Sequence, residues 1–177
     1  MSMVLGIDPG PTSCGVVLYD LQTRQVTEAH KALELDELLS RLADPQDRWT
    51  YYLQMGGLVA IERVQSYGIA GASLLLTAET VGRLQQQALR AGHRVQLVTR
   101  REVLAALDIT GKGNRDALVR QRCLEIHGGT RQAAIGRKAT PGPLYGVAGH
   151  AWQALGVALT AQMIEQGHGW ASKEAAC

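Results

Sequence analysis

Apolar residues come in short runs at the start of the chain. Residues 3–8 (MVLGID), 14–20 (CGVVLYD) and 25–31 (RQVTEAHK, opened by Arg24) read as strands, linked through PGPTS and LQTR. Three strands with such short links predict an antiparallel meander. Helical signals follow at 35–42 and 46–55, parted at Asp44-Pro45-Gln46, where proline suits a helix start. Residues 57–62 (GLVAIE) form a fourth apolar run that ends on an acid. From 72 to 91, Leu75, Ala78, Val81, Leu84, Ala88 and Leu89 fall near helical spacing, and Gly92 stops the pattern. A fifth strand is predicted at 94–98, with helices at 100–107 and 114–127 separated by GKG (111–113). Residues 128–146 are rich in Gly, Pro and basic residues and read as a loop. A last helix is predicted from about 147 to 166. Strands first grouped and then alternating with helices predict an α/β fold, a mixed sheet with helices on its faces.

Composition sets outer bounds. At 177 residues and 46% hydrophobic, the chain suits a single domain with a substantial core, here 1–170, with 171–177 read as a mobile tail. Charged residues are 19%, too few for a disordered chain. No apolar stretch is long enough to predict a membrane span, and the start MSMVLGIDPG lacks the basic and apolar regions of a signal peptide. Cys14, Cys123 and Cys177 are far apart and form no metal-type pair, so reduced thiols in a cytoplasmic protein are expected. The net charge of +2 conceals an asymmetry. From Arg63 to Lys138 there are 13 Lys/Arg against 5 Asp/Glu, a net of +8, and the remainder carries −6. A basic region of that size suits a polyanion such as nucleic acid, although solvated faces would account for it equally well.

Two carboxylates occupy equivalent places: Asp8 closes the first strand and Glu62 the fourth. If those strands are parallel neighbours, both side chains emerge at one sheet edge, where α/β sheets bind ligands. Paired acids repel unless a cation lies between them, and oxygen ligands select Mg²⁺ or Mn²⁺. Taken singly, Asp8 reads as a turn residue of Asp-Pro-Gly, and Glu62 as a charge leaving the core, paired with Arg63. His150 and Gln153, three apart at the start of the last helix, share a face. His150 can offer an imidazole nitrogen, Gln153 only a neutral amide oxygen.

These residues carry a resemblance. GIDPGPTSCGVVLYD (6–20), VAIERVQSYG (59–68), TGKGNRDALVRQ (110–121) and PGPLYGVAGHAWQALGVAL (141–159) resemble the RuvC-type Holliday junction resolvases of the RNase H-like superfamily, and look most like the RuvC-like proteins of phages and their bacterial relatives. The resemblance implies an RNase H-like fold, a five-stranded mixed sheet flanked by helices on both faces. It implies metal-dependent, two-metal phosphodiester hydrolysis on branched DNA by a homodimer. Asp8 and Glu62 match the first two acidic ligands and His150 the third. Gln153 stands where an Asp is expected. That change removes a negative charge and favours Mn²⁺ over Mg²⁺. Three outcomes stay open: the Gln153 amide oxygen serves as ligand (the preferred reading), Asp116 substitutes, or the protein binds DNA and cuts it poorly. Asp116 also reads simply as a favourable helix N-terminal charge.

Lys112, Arg115, Arg120, Arg122, Arg131, Arg137 and Lys138 would suit phosphate contacts, with Gly111 and Gly113 letting the backbone approach. Gln65 and Tyr67 fall where resolvases carry a loop that probes the junction, and Tyr67 could stack on an unpaired base. Helix 72–91 falls where the family dimerises. Competing readings are an actin-like ATPase or sugar kinase, for which 177 residues leave no second large domain, a nuclease acting on RNA, and a structure-selective DNA-binding protein without cleavage.

Overall fold

The computed structural model describes residues 3–65 and 71–167. Strand β1 (Met3–Pro9) pairs antiparallel with β2 (Ser13–Asp20), from Met3 opposite Asp20 to Pro9 opposite Cys14. Strand β3 (Gln25–Glu34) adds antiparallel to β2 and completes the expected meander. Helices α1 (Leu35–Ala43) and α2 (Arg48–Gln54) lead to β4 (Leu58–Arg63). That strand joins the other side of β1, parallel, with Val4 opposite Leu58 and Ile7 opposite Ile61. Helix α3 (Ala72–Arg90) crosses to β5 (Val95–Thr99), parallel to β4. The sheet order is β3-β2-β1-β4-β5, so β1 is central. Helices α4 (Arg100–Ala106), α5 (Arg115–Ile126), α6 (Arg131–Ile135) and α7 (Ala151–Glu165) complete the chain.

The two-residue period of the strands divides the core into two layers. Leu5, Ile7, Val16, Leu18, Val59 and Ile61 pack with α1, α2 and α3. Val4, Val17, Tyr19, Leu58, Ala60 and Val98 pack with α4, α5 and α7. Both sides of the central strands are therefore covered, which explains why their apolar runs are nearly continuous. Gly6 and Gly15 let α7 lie directly on β1 and β2. A Cβ on Gly6 would fall 2.2 Å from the Ala154 carbonyl oxygen, and one on Gly15 2.4 Å from that of His150.

Three expectations need correction. The segment 128–146 is not all loop. It holds α6, capped by the Thr130 side chain accepting from the Ala133 N–H, and a hairpin of β6 (Gly136–Arg137) with β7 (Thr140–Pro141). The last helix starts at Ala151 rather than near 147, because Gly146 and Gly149 adopt positive φ (89° and 53°) and interrupt helix propagation. Helix α2 starts at Arg48, because the cap is Asp47, which accepts from the Trp49 N–H, and not the proline step. Cys14 and Cys123 are buried free thiols, pushed up to about 11 and about 12 by burial, and so unreactive. Cys177 lies outside the described residues. No helix among those described is long and apolar enough to cross a membrane.

Candidate metal centre and nucleic-acid interface

Alternation along the strands decides which acids meet. On β1, Val4 and Gly6 face α7, so Asp8, next on that side, does too. On β4, Leu58 and Ala60 face α7, and Glu62 follows them. The parallel register that sets Gly6 beside Ala60 brings the two acids to adjacent strand ends, as the sequence reading required. The tight seat of α7 on Gly15 delivers His150 to the same place. Its Nδ1 lies 3.2 Å from Asp8 Oδ2. With the carboxylate accepting from Nδ1, the neutral ring has its lone pair on Nε2. Asp8 is thus tied to the start of the last helix.

Burial dominates the electrostatics. It pushes the Asp8 carboxyl up, against the opposing pull of His150 and Arg100. Burial pushes Glu62 up to about 7, opposed by Arg100 and reinforced by Asp8 and Asp116. Glu62 Oε2 is buried and lacks a hydrogen-bond donor. Arg100 Nη1 is 3.7 Å from it, an ion-pair distance but too long for a hydrogen bond.

Arg100 is the residue that sequence reasoning missed. It follows β5, two positions after Val98, and so comes to the α7 side beside Glu62. Its Nη1 donates to Gln153 Oε1 at 2.6 Å, and its Nη2 binds Asp116. Gln153, 7% exposed, uses its other end as well, with Nε2 donating to the Asp116 backbone carbonyl at 3.3 Å. The local sequence reads Thr99-Arg100-Arg101, and nothing in it distinguishes Arg100 from Arg101. The available signal was an amide where an acid was expected, together with an arginine at the next strand end. Asp116 takes the helix N-terminal placement foreseen for it, and its side chain pairs with Arg100. It lies in the first turn of α5, where Asn114 caps its N–H, and it joins the cluster through Arg100.

The donor set suits a hard divalent cation: two largely buried carboxylates on adjacent strands, one with an unsatisfied oxygen, and an imidazole against the other. Asp8 and Glu62 form the fitting pair. His150 is held by Asp8, and no three His, Cys, Asp or Glu side chains among the described residues close into a ready metal shell.

The basic residues fall into two groups. Arg120 lies over the Trp152 ring, 5.4 Å from its centroid, and lines a cleft of about 370 Å³ with Arg131, Trp152, Asp116 and Gln153, the last two being the partners of Arg100. Lys112, Arg115, Arg131, Arg137 and Lys138 are exposed, the last two around the β6–β7 hairpin. Arg122 is different. Its Nε donates to the Leu107 carbonyl at 3.0 Å and its Nη1 binds Glu125 at 3.1 Å, so it braces α5 against the end of α4. Gln65 is exposed just beyond β4, and Tyr67 lies outside the described residues. A larger, shallow depression of about 520 Å³ is lined by α3 alone, on the opposite side of the sheet from the acids.

No family model matches the chain. It is 32% identical over 125 residues to a crossover junction endodeoxyribonuclease RuvC of Paenarthrobacter aurescens (strain TC1), covering 66% of this chain and 65% of that protein. It is 32% identical over 127 residues to the protein of the same name from Pseudarthrobacter chlorophenolicus, covering 66% and 64%. The chain therefore spans just under two thirds of the length of the curated relatives it matches. Among solved structures, it superposes on Thermus thermophilus RuvC with a TM-score of 0.62 at 18% identity, covering 94% of this chain and 98% of that one. On T. thermophilus RuvC in complex with Holliday junction substrate it scores 0.61 at 19% identity, covering 96% and 98%. The chain is RuvC-like in sequence and in fold. The RuvC-like fold is the RNase H-like one expected, with five mixed strands and helices on both faces.

Proposed function

We propose that this RuvC-like chain is a cytoplasmic, divalent-metal-dependent endodeoxyribonuclease that cuts branched DNA, of the four-way junction type, as a homodimer. The observation that carries this reading is the meeting of Asp8 and Glu62 at adjacent strand ends with His150 3.2 Å from Asp8. Two relatives named as crossover junction endodeoxyribonucleases, and a fold neighbour solved with a Holliday junction, support the substrate class.

Asp8 and Glu62 would hold the Mg²⁺ or Mn²⁺. His150, fixed through Nδ1, presents Nε2 as a third donor. When bound, such an ion activates a water for attack on the phosphodiester and neutralises the charge that develops there. Arg120 and Arg131 in the adjoining cleft, with Lys112, Arg115, Arg137 and Lys138 around it, would hold the strand by its phosphates. Gln65 and Tyr67, which follow β4 in the sequence, are the candidates for contact with the junction itself. Leu75, Leu76 and Leu89 are exposed on α3 and would form the dimer contact. Two sites related by a two-fold axis would match the symmetry of a junction.

The test is cleavage of a four-way DNA junction with Mn²⁺ or Mg²⁺, beside a linear duplex, an RNA duplex and an Asp8→Asn control. Junction-selective cutting that Asp8→Asn abolishes is expected. Equal cutting by the control would sink the proposal. Binding without cleavage in either metal selects the structure-selective binding protein, a reading favoured by the engagement of Gln153 with Arg100. Cutting of the RNA duplex alone selects the RNA nuclease.

A further inference from the structure

The cluster around Glu62 already contains one cation of its own. Arg100 reaches Glu62, Gln153 and Asp116 at once. Gln153 is suited to keep it there. Its oxygen accepts a hydrogen bond from Arg100 Nη1 at 2.6 Å while its amide group donates to the Asp116 carbonyl at 3.3 Å. An Asp at this position would be shorter and acceptor-only, so it could not make both bonds. The amide oxygen that could have served as a metal ligand is therefore committed to a guanidinium.

Charge balance points the same way. Asp8, Glu62 and Asp116 supply three carboxylates when ionised and Arg100 one positive charge, leaving −2, which one divalent ion offsets. A carboxylate at 153 with a neutral residue at 100 would leave −4, enough for two ions. Arg100 does not complete the neutralisation by itself, since Glu62 Oε2 remains buried without a hydrogen-bond donor.

We propose that Arg100, positioned by Gln153, is a resident cation that takes the place of one metal ion, so that each site binds a single divalent ion at Asp8 and Glu62. This rests on the metal-dependent reading above and replaces the two ions per site that the family resemblance implies.

The test is to count bound Mn²⁺ by titrating the full metal-free chain at pH 8 and following the free-ion electron paramagnetic resonance signal. The wild type is expected to bind one Mn²⁺ per chain. Gln153→Asp alone should still bind one, because Arg100 pairs with the new acid. The double change Arg100→Gln with Gln153→Asp should bind two. Two ions of similar affinity on the wild type would overturn the inference while leaving metal dependence intact. A double variant that folds by circular dichroism and still binds one ion would also overturn it. If wild type and Asp8→Asn bind Mn²⁺ equally weakly, the metal-dependent reading fails, and this inference with it. The wild-type count needs no variant, so it decides the matter even if the double variant is unfolded.

Discussion

At the residue scale the chain stores destabilisation in Glu62. Its carboxyl is raised by burial to about 7 from the ordinary 4.5. An acid whose folded pKa lies above its unfolded one binds more protons when folded, so stability falls as pH rises from 4.5 to 7 and stays low above. Glu62→Gln removes that penalty. The metal-free variant is expected to be more stable than wild type at pH 8, on the order of 2–3 kcal/mol, with the difference vanishing near pH 4. Urea unfolding at the two pH values measures this. A variant less stable at pH 8 would contradict the burial of an ionised, under-neutralised carboxylate. Glu62 was legible in the sequence as an acid at a strand end. Its pairing with Arg100 was not, because that contact crosses from β4 to the residue after β5.

At the element scale the site depends on how closely α7 sits on the sheet. Gly15 provides for that approach, since a Cβ there would fall 2.4 Å from the His150 carbonyl oxygen and 2.7 Å from its Cβ. Gly15→Ala should therefore displace the start of α7, costing about 1–3 kcal/mol of stability as overpacking, and draw His150 away from Asp8. The expected result is weaker Mn²⁺ binding in a variant that keeps every proposed ligand. Unchanged affinity, measured by the same titration, would show that α7 does not set the position of His150. Both glycines sit in the GIDPGPTSCG segment that carries the resemblance, yet their packing role is visible only once α7 lies across them. The strands and long helices were legible because their periods are strong. The boundaries at Ala151, Arg48 and α6 were not, because positive-φ glycines and single capping side chains set them.

At the scale of the whole molecule, part of the basic middle of the chain comes to a cleft that it shares with Asp116 and Gln153. Arg120 and Arg131 line the cleft beside Gln153, while Lys112 and Arg115 lie at the start of α5 and Arg137 and Lys138 at the hairpin. If these groups hold phosphates, junction binding should weaken steeply with salt, with a log–log slope of roughly −4 or steeper. Arg122→Ala should leave that slope unchanged, because its guanidinium braces α5. A flat salt response, or a slope that drops only for Arg122→Ala, would refute this assignment. The sequence by itself determined the α/β class, the strands that carry Asp8 and Glu62 near their ends, and the late helix that His150 precedes, since local period and residue type suffice for these. The tertiary structure alone decided the parallel pairing of β1 with β4, the descent of α7 onto Gly6 and Gly15, and the capture of Gln153 by Arg100. Each joins residues distant in sequence, and the direction and reach of a side chain across such a gap follow from packing, which no local pattern records.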